Sequence, residues 1–254
     1  GGSTCITEPA PTRDHTERML RGFGYEVVTR GNRICLSGGG RLEACDIEIP
    51  ADISSAAFFL VGATIAEASD VTLRHVGINA TRDGVIKILQ LMGADIELFN
   101  RREVGGEPVA DIRVRHAPLQ GIRIPESLVP LAIDEFPALF VAAACASGET
   151  VLTGAEELRV KESDRIAVMA DGLSALGIRV QPTADGIVIE GGEIAGGRVD
   201  SHGDHRIAMS FAMAALRAKE AIRIDDCDNV NTSFPGFVGL AHGAGLGIEA
   251  GRGE

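Results

Sequence analysis

The chain lacks a cationic excess: 36 aspartates and glutamates outnumber 24 lysines and arginines, for a net charge of −12. That excludes the broad basic field that nucleic acid requires, so any phosphate-binding site has to be local. Close cysteine pairs are also missing. Cys5, Cys35, Cys45, Cys145 and Cys227 are odd in number and scattered, which argues against a metal site or a disulfide framework; they are expected to be reduced, small hydrophobes packed into the core. No apolar run reaches membrane-spanning length and no charged-then-apolar leader opens the chain, so a cytoplasmic protein with no membrane partner is expected. What is present is 254 residues with 45% hydrophobic and 24% charged content. Such a chain can bury one large core or two smaller ones and is too apolar for disorder.

The densest chemistry lies in Leu158-Arg159-Val160-Lys161-Glu162-Ser163-Asp164-Arg165. Ile166, Met169, Leu173 and Leu176 then follow at helical spacing. Helix N-termini present free N–H groups and a positive dipole end, so Lys161 and Arg165 at such a junction suit a phosphate or carboxylate. Glu162 between them could move a proton. Taken alone, the cluster reads equally well as a solvated, capped helix start.

A repeat gives the cluster its context. Three apolar helices open at or near an aspartate: Asp52 before Ala56-Ala57-Phe58, Asp134 before Pro137-Ala138-Leu139, and Asp204 before Ile207-Ala208-Met209. Four amphipathic helices end at a glycine that enters an extended segment, namely Gly24, Gly93, Gly177 and Gly247. These landmarks recur with a unit of about 70 residues and one insertion. The insertion falls between Gly93 and Asp134, where Asn100 to Glu107 reads as an enlarged hairpin tip; other hairpins turn at Gly31-Asn32 and Asp185-Gly186. Short strands are expected at 71–73, 150–152 and 221–224. Each unit thus reads βαβαββ. The Asp-started helices are apolar on all sides and must be internal, whereas the Gly-ended ones are two-faced and lie outside. The fold class is therefore α/β, with pseudo-threefold symmetry around three internal helices. The register puts the aspartate partner of Gly24 before residue 1, and the chain begins with Gly rather than Met. It is accordingly expected to start inside a repeat, with residues 1–48 the tail of an incomplete amino-terminal domain and 49–254 a carboxy-terminal domain.

Equivalent positions in such units gather at one end, which brings the starts of the Asp52, Asp134 and Asp204 helices together with the 157–165 loop. The polar residues there are lopsided: Asp134-Glu135, then Lys161-Glu162 with Arg165, then Asp204-His205-Arg206, against only Ile53-Ser54-Ser55 after Asp52. Capping explains the aspartates. It does not explain Arg206 inside an apolar helix start, or Glu162 between cations. Paired arginines grip carboxylates and phosphates, leaving carboxylates for proton transfer.

Three runs carry a resemblance: Ile133-Asp134-Glu135-Phe136-Pro137, Arg159 to Arg165, and Asp204-His205-Arg206-Ile207-Ala208-Met209. Together they are similar to the carboxy-terminal motifs of the 5-enolpyruvylshikimate-3-phosphate synthase family. Thr12-Arg13-Asp14-His15-Thr16-Glu17 and Thr232-Ser233-Phe234-Pro235 resemble its class II, often glyphosate-tolerant, branch. The resemblance implies the enolpyruvyl transferase fold, an inverted α/β barrel in two domains facing across a cleft. It also implies transfer of an enolpyruvyl group from phosphoenolpyruvate to the 5-hydroxyl of shikimate 3-phosphate, with no metal or organic cofactor. On these positions, Asp134 would bind the shikimate hydroxyls and accept a proton, and Glu162 would be the acid/base at the methylene carbon. Lys161 would contact the ring and the reacting centre, Arg165 and Arg206 would hold phosphoenolpyruvate, His205 would orient its neighbours, and Arg13 would reach the shikimate phosphate from the other domain. Many family members have lysine where this chain has Thr232. The family's amino-terminal Lys-Ser and Arg motifs are absent, so the missing amino-terminal half of the enzyme is an expected partner. Two other readings fit less well: a UDP-N-acetylglucosamine enolpyruvyl transferase relative, and a non-catalytic ring-type repeat module, which would need basic residues in every unit.

Overall fold

The computed structural model describes residues 1–9 and 12–251. An amino-terminal piece holds β1 (Ser3–Thr7), α1 (His15–Gly22), β2 (Val27–Arg30) and β3 (Arg33–Ser37), with the strands antiparallel in the order β1-β3-β2. A first unit follows: α2 (Ile53–Ile65), β4 (Asp70–Gly77), α3 (Gly84–Leu91), β5 (Asp95–Val104) and β6 (Glu107–Arg115). The second has α4 (Phe136–Ala144), β7 (Glu149–Leu152), α5 (Arg165–Ala175), β8 (Arg179–Thr183) and β9 (Gly186–Glu190). The third has β10 (Gly197–Asp200), α6 (His205–Ala214), β11 (Ile222–Asp225), α7 (Val230–Ser233) and α8 (Phe237–Gly243).

The repeat is visible in the pairing. In the first two units the strand after the internal helix lies antiparallel to the second strand of the hairpin, giving the orders β4-β6-β5 and β7-β9-β8. The strand before the internal helix pairs in parallel with the one after it. This is a full ladder for β10 and β11 and shrinks to single bridges at Ala51–Val76 and Arg123–Val151. Parallel pairing across a helix is the βαβ unit, and each buried helix is its crossover.

Helices α2, α4 and α6 form the centre. Every residue of α2 except Ser55, and every residue of α4, is buried. Such all-round apolarity leaves no face for water, so these helices pack on one another inside three outer layers. Their few polar groups are satisfied locally: Thr64 Oγ1 donates to Leu60 O at 2.7 Å and Ser210 Oγ to Arg206 O at 2.6 Å. Helices α3 and α5 bury one side only. Phe237 packs edge-on to Phe58 at 6.2 Å and tilted to Phe59 at 6.0 Å, which fixes the carboxy-terminal helices to α2.

Four expectations are corrected. The cysteines are not uniformly buried thiols: Cys5 and Cys35 face each other in the β1/β3 ladder and form a disulfide, and Cys45 and Cys227 are exposed. Thirty residues separate the bonded pair, so only the strand register brings them together. Cys145 alone fits, its thiol pushed up to about 12 by burial. The stretch 100–107 is no enlarged tip; the extra residues lengthen both strands, which run on to a turn at Gly105-Gly106, with a bulge between Phe99 and Arg102. The last helix stops at Gly245, at φ 105°, rather than Gly247. No hairpin follows it among the described residues, so the third unit is shorter than the others.

Helix α5, which opens on the charged cluster, seats on α6 through Gly172. A Cβ there would sit 2.3 Å from the Phe211 ring, which is fully buried and cannot retreat. Gly172→Ala is therefore expected to lower stability by about 1–3 kcal/mol through overpacking. A urea melt with an unchanged midpoint would contradict this contact.

Candidate active site

The starts of the three internal helices meet at one end, tied together by side chains. Ser54, in the first turn of α2, donates to Glu135, the residue before α4. Arg206, in the first turn of α6, places Nη1 3.3 Å from the Asp134 carbonyl. Asp52 and Asp204 cap their own helices, accepting from Ser55 N at 3.0 Å and Arg206 N at 2.9 Å. Asp134 does not cap: it stands in the turn ahead of α4 with its carboxylate pointing into a set of cations.

Helix α5 begins at Arg165, capped by Asp164, whose carboxylate accepts from Ala167 N at 3.0 Å. The N-terminus of α5 is thus filled by its own aspartate, and the expected anion site there is displaced toward Asp134. Lys161 lies ahead of the helix, after the 3-10 turn Glu156–Val160. Arg159 clips this loop to the β8–β9 turn, donating to the carbonyls of Ala184 and Thr183 and to Asp164. Its role is to shape the loop.

Arg165 is the largest fully buried side chain of the protein. Its Nε lies 2.8 Å from Asp204 Oδ2, and its Nη2 lies 3.4 Å from Asp204 Oδ1 and 2.5 Å from Glu162 Oε2. Ser163 Oγ adds a donor to Asp204 at 3.1 Å. Nη1 is buried, has no hydrogen-bond acceptor among the described residues, and sits 3.6 Å from Asp134 Oδ1. A guanidinium held on two edges with its third directed at the carboxylate is a preorganised donor for an anion.

Asp134 collects the remaining cations. Arg13, from the segment before α1, bonds its Oδ2, and Lys161 Nζ lies 3.6 Å from its Oδ1. Burial acts to raise its pKa, but the hydrogen bond from Arg13 and the charges of Arg206, Arg13 and Lys161 outweigh it and hold the carboxyl below its usual value. Its neighbour Glu135 behaves oppositely. Burial lifts it above the usual range despite Ser54 and Arg82, so consecutive carboxylates are driven apart in acidity. Burial and Arg206 push the His205 imidazole down, at the first position of α6. Glu162 is half exposed and pairs with Arg165 but not Lys161, which bonds Glu157 instead.

The structure thus gathers Asp134, Lys161, Glu162, Arg165, Arg206 and Arg13, with His205 at the rim. Arg82 was not anticipated. It reaches Asp52 at 3.2 Å and Glu135 at 3.6 Å, joining the starts of α2 and α4 as Arg165 joins those of α4 and α6. Both arginines lie where the outer loop meets its helix, so shifting Arg165 back by one unit would have found it. Thr232 lies in α7, next to Phe234, which packs on Phe59 at 6.2 Å. Among the described residues no cluster of His, Cys, Asp and Glu is arranged to hold a metal ion, and no helix is long and apolar enough to cross a membrane.

Arg82, Arg165 and Arg206 tie together the starts of three buried helices around the Asp134 carboxylate, which defines an α/β protein with one cation-rich end. The chain belongs to the EPSP synthase (3-phosphoshikimate 1-carboxyvinyltransferase) family, whose model matches residues 1–240. It is 70% identical over 254 residues to the 3-phosphoshikimate 1-carboxyvinyltransferase of Alkalilimnicola ehrlichii, covering 100% of this chain and 57% of that protein. It is 71% identical over 248 residues to that of Methylococcus capsulatus, covering 98% and 57%. A solved EPSP synthase from Acinetobacter baumannii superposes with a TM-score of 0.95 at 61% identity, covering 99% of this chain and 58% of that one. The fold is the expected enolpyruvyl transferase architecture, and the chain spans a little over half the length of these relatives.

Removing one partner of the buried pair should expose its cost. Asp204→Asn takes from the Arg165 guanidinium its fully buried counter-charge, leaving only the half-exposed Glu162 and the more distant Asp134, and is expected to lose about 3–5 kcal/mol at neutral pH. Asp204 titrates below its ordinary 3.8: burial opposes this, but the Arg165 hydrogen bond and charge prevail. A depressed native pKa stabilises fully above the unfolded value and loses that contribution as pH falls through the native one. The gap between parent and variant should therefore close below about pH 4. A gap that stays constant on acidification would refute the ion pair.

Proposed function

We propose that this chain is the carboxy-terminal part of a cytoplasmic 3-phosphoshikimate 1-carboxyvinyltransferase. It would transfer the enolpyruvyl group of phosphoenolpyruvate to the 5-hydroxyl of shikimate 3-phosphate, releasing phosphate, in aromatic amino acid biosynthesis. The observation that carries the reading is the convergence of Lys161, Arg165 and Arg206 on Asp134, with Glu162 beside them. Phosphoenolpyruvate bears a carboxylate and a phosphate close together, and the fixed donor forks of Arg165 and Arg206 match both.

Asp134 takes the proton of the 5-hydroxyl as the oxygen attacks the enol carbon of phosphoenolpyruvate, while Glu162 delivers a proton to the methylene carbon. In the second step Glu162 removes a proton from that carbon, the double bond re-forms, and phosphate departs with its oxygen. Asp134 paired to Arg13 is a weak base. Shikimate 3-phosphate carries a dianion that draws Arg13 away, and loss of that bond raises the basicity of Asp134 when the hydroxyl arrives. Lys161 lies where charge develops on the reacting centre.

The remainder of the enzyme is a required partner in this reading. Residues 1–48 would belong to the other domain, and 49–254 would form the carboxy-terminal one. Ile6, Met19, Val28, Leu42 and Ile47 are exposed on the amino-terminal piece, and α1 buries no residue. Such a surface suits packing against more protein.

The test compares this chain alone with a completed enzyme, in which it is fused to the part of the Alkalilimnicola relative outside the matched region. The chain alone should turn over negligibly and the completed enzyme should convert shikimate 3-phosphate and phosphoenolpyruvate. In the latter, Asp134→Asn and Glu162→Gln are each expected to lower kcat by about 100- to 10,000-fold while largely sparing ligand binding. Unchanged turnover in both variants would remove the proton-transfer roles, and no turnover by the completed parent would remove the reaction.

A further inference from the structure

Arg13 belongs to the segment before α1 yet reaches Asp134 in the larger domain. The residues that follow it are held there by a polar network outside the reacting groups. Asp14 occupies the N-cap position of α1 but makes no cap hydrogen bond. An aspartate at that position ordinarily bonds the free N–H groups of its own helix. Here its carboxylate turns away: Oδ1 accepts from Asn79 Nδ2 at 2.6 Å, and Oδ2 from Arg18 Nε at 2.9 Å. His15 Nδ1 lies 2.7 Å from Glu107 Oε1, and Arg18 Nη1 donates to Gly106 O at 2.9 Å.

Asn79 is the hub on the other side. It is buried, and its amide uses its full capacity: Nδ2 donates to Asp14 and, at 3.0 Å, to Glu107 Oε2, while Oδ1 accepts from Thr81 N at 2.9 Å and Thr81 Oγ1 at 2.8 Å. A buried amide with all four of its hydrogen bonds made fixes the geometry of the groups around it more than it adds stability. Two carboxylates converging on one amide would repel, and Arg18, 4.0 Å from Glu107, offsets them both. Arg13 itself is half exposed and makes no other hydrogen bond among the described residues, so its direction depends on where α1 starts.

We propose that Asn79 and Glu107 are positioning residues that lock the start of α1 against the larger domain and thereby aim Arg13 at the reaction site, to receive the phosphate of the acceptor. The inference rests on the enolpyruvyl transfer reading and adds a specificity device to it. The clasp acts on the phosphorylated acceptor alone. Phosphoenolpyruvate is held by Arg165 and Arg206, which the network does not touch.

The test is a double-mutant cycle in the completed enzyme, read both as the Kd of shikimate 3-phosphate by calorimetry and as steady-state kinetics. Glu107→Ala and Asn79→Ala are each expected to raise the Kd and KM of shikimate 3-phosphate about tenfold, with kcat and the KM of phosphoenolpyruvate within about twofold. Glu107→Gln, which keeps the side-chain volume and one acceptor, should restore most of the loss, and Asn79→Ala serves in the cycle if Glu107→Ala does not fold. On an Arg13→Ala background, Glu107→Ala or Asn79→Ala should add less than about twofold, because their action passes through Arg13. Equal penalties on both backgrounds, or unaltered acceptor affinity in the folded variants, would overturn the proposal. A parent that binds shikimate 3-phosphate without turnover would remove the reaction but leave the cycle decisive through Kd; a parent that does not bind it removes both.

Discussion

The arrangement depends on one buried ion pair. Arg165 and Asp204 are almost inaccessible to water, and neither could be charged there without the other. The aspartate caps α6 and the arginine opens α5, so their contact joins an outer helix to an internal one beside Asp134. It fixes Nε and, with Glu162, Nη2 of the guanidinium and leaves the Nη1 side facing Asp134. A buried pair of this kind is poor value as stabilisation but suits a site that needs a cation which cannot swing away.

Threefold repetition explains why the charged groups gather where they do and why the three helix starts differ. Each internal helix offers a capped or turn-bound carboxylate at the same end, yet the neighbours differ. Asp52 meets Arg82 and Ser55, Asp204 is consumed by Arg165, and Asp134 alone faces several cations. Glu135, one residue along, points into the interior against Ser54 and Arg82. Burial raises one carboxyl while surrounding charge lowers the other, so adjacent residues in the chain have opposite acid strengths. The repeat supplies the scaffold, and its departures from symmetry set the charge around each carboxylate.

Much of this was legible in the residues. The all-apolar composition of α2, α4 and α6 marked them as internal, and the aspartates before them marked their common end. Arg206 stands out as a charge inside an apolar helix start and Arg165 as part of the charged run at 158–165, whereas in the sequence capping accounts for Asp134 and only the family resemblance gives it a role. Three things were hidden. The Cys5–Cys35 bond depends on strand register, which spacing along the chain does not encode. The filling of the α5 N-terminus depends on which way Asp164 turns. The network of Asp14, His15, Asn79 and Glu107 joins residues from a helix, a loop and a hairpin, each unremarkable by itself. Cap residues and periodicity are local signals, whereas side-chain direction is set by packing.

Asp204 and Glu162 clamp Arg165, and in the proposed reaction its Nη1 is kept for the anionic substrate. Side-chain nitrogen NMR of the completed enzyme tests this most directly, since slow rotation of a buried guanidinium resolves its two Nη groups. On saturation with phosphoenolpyruvate the Nη1 resonance of Arg165 should shift while Nε, bound to Asp204, stays in place. Saturation that leaves Nη1 unmoved, or that displaces Nε with it, would contradict the account.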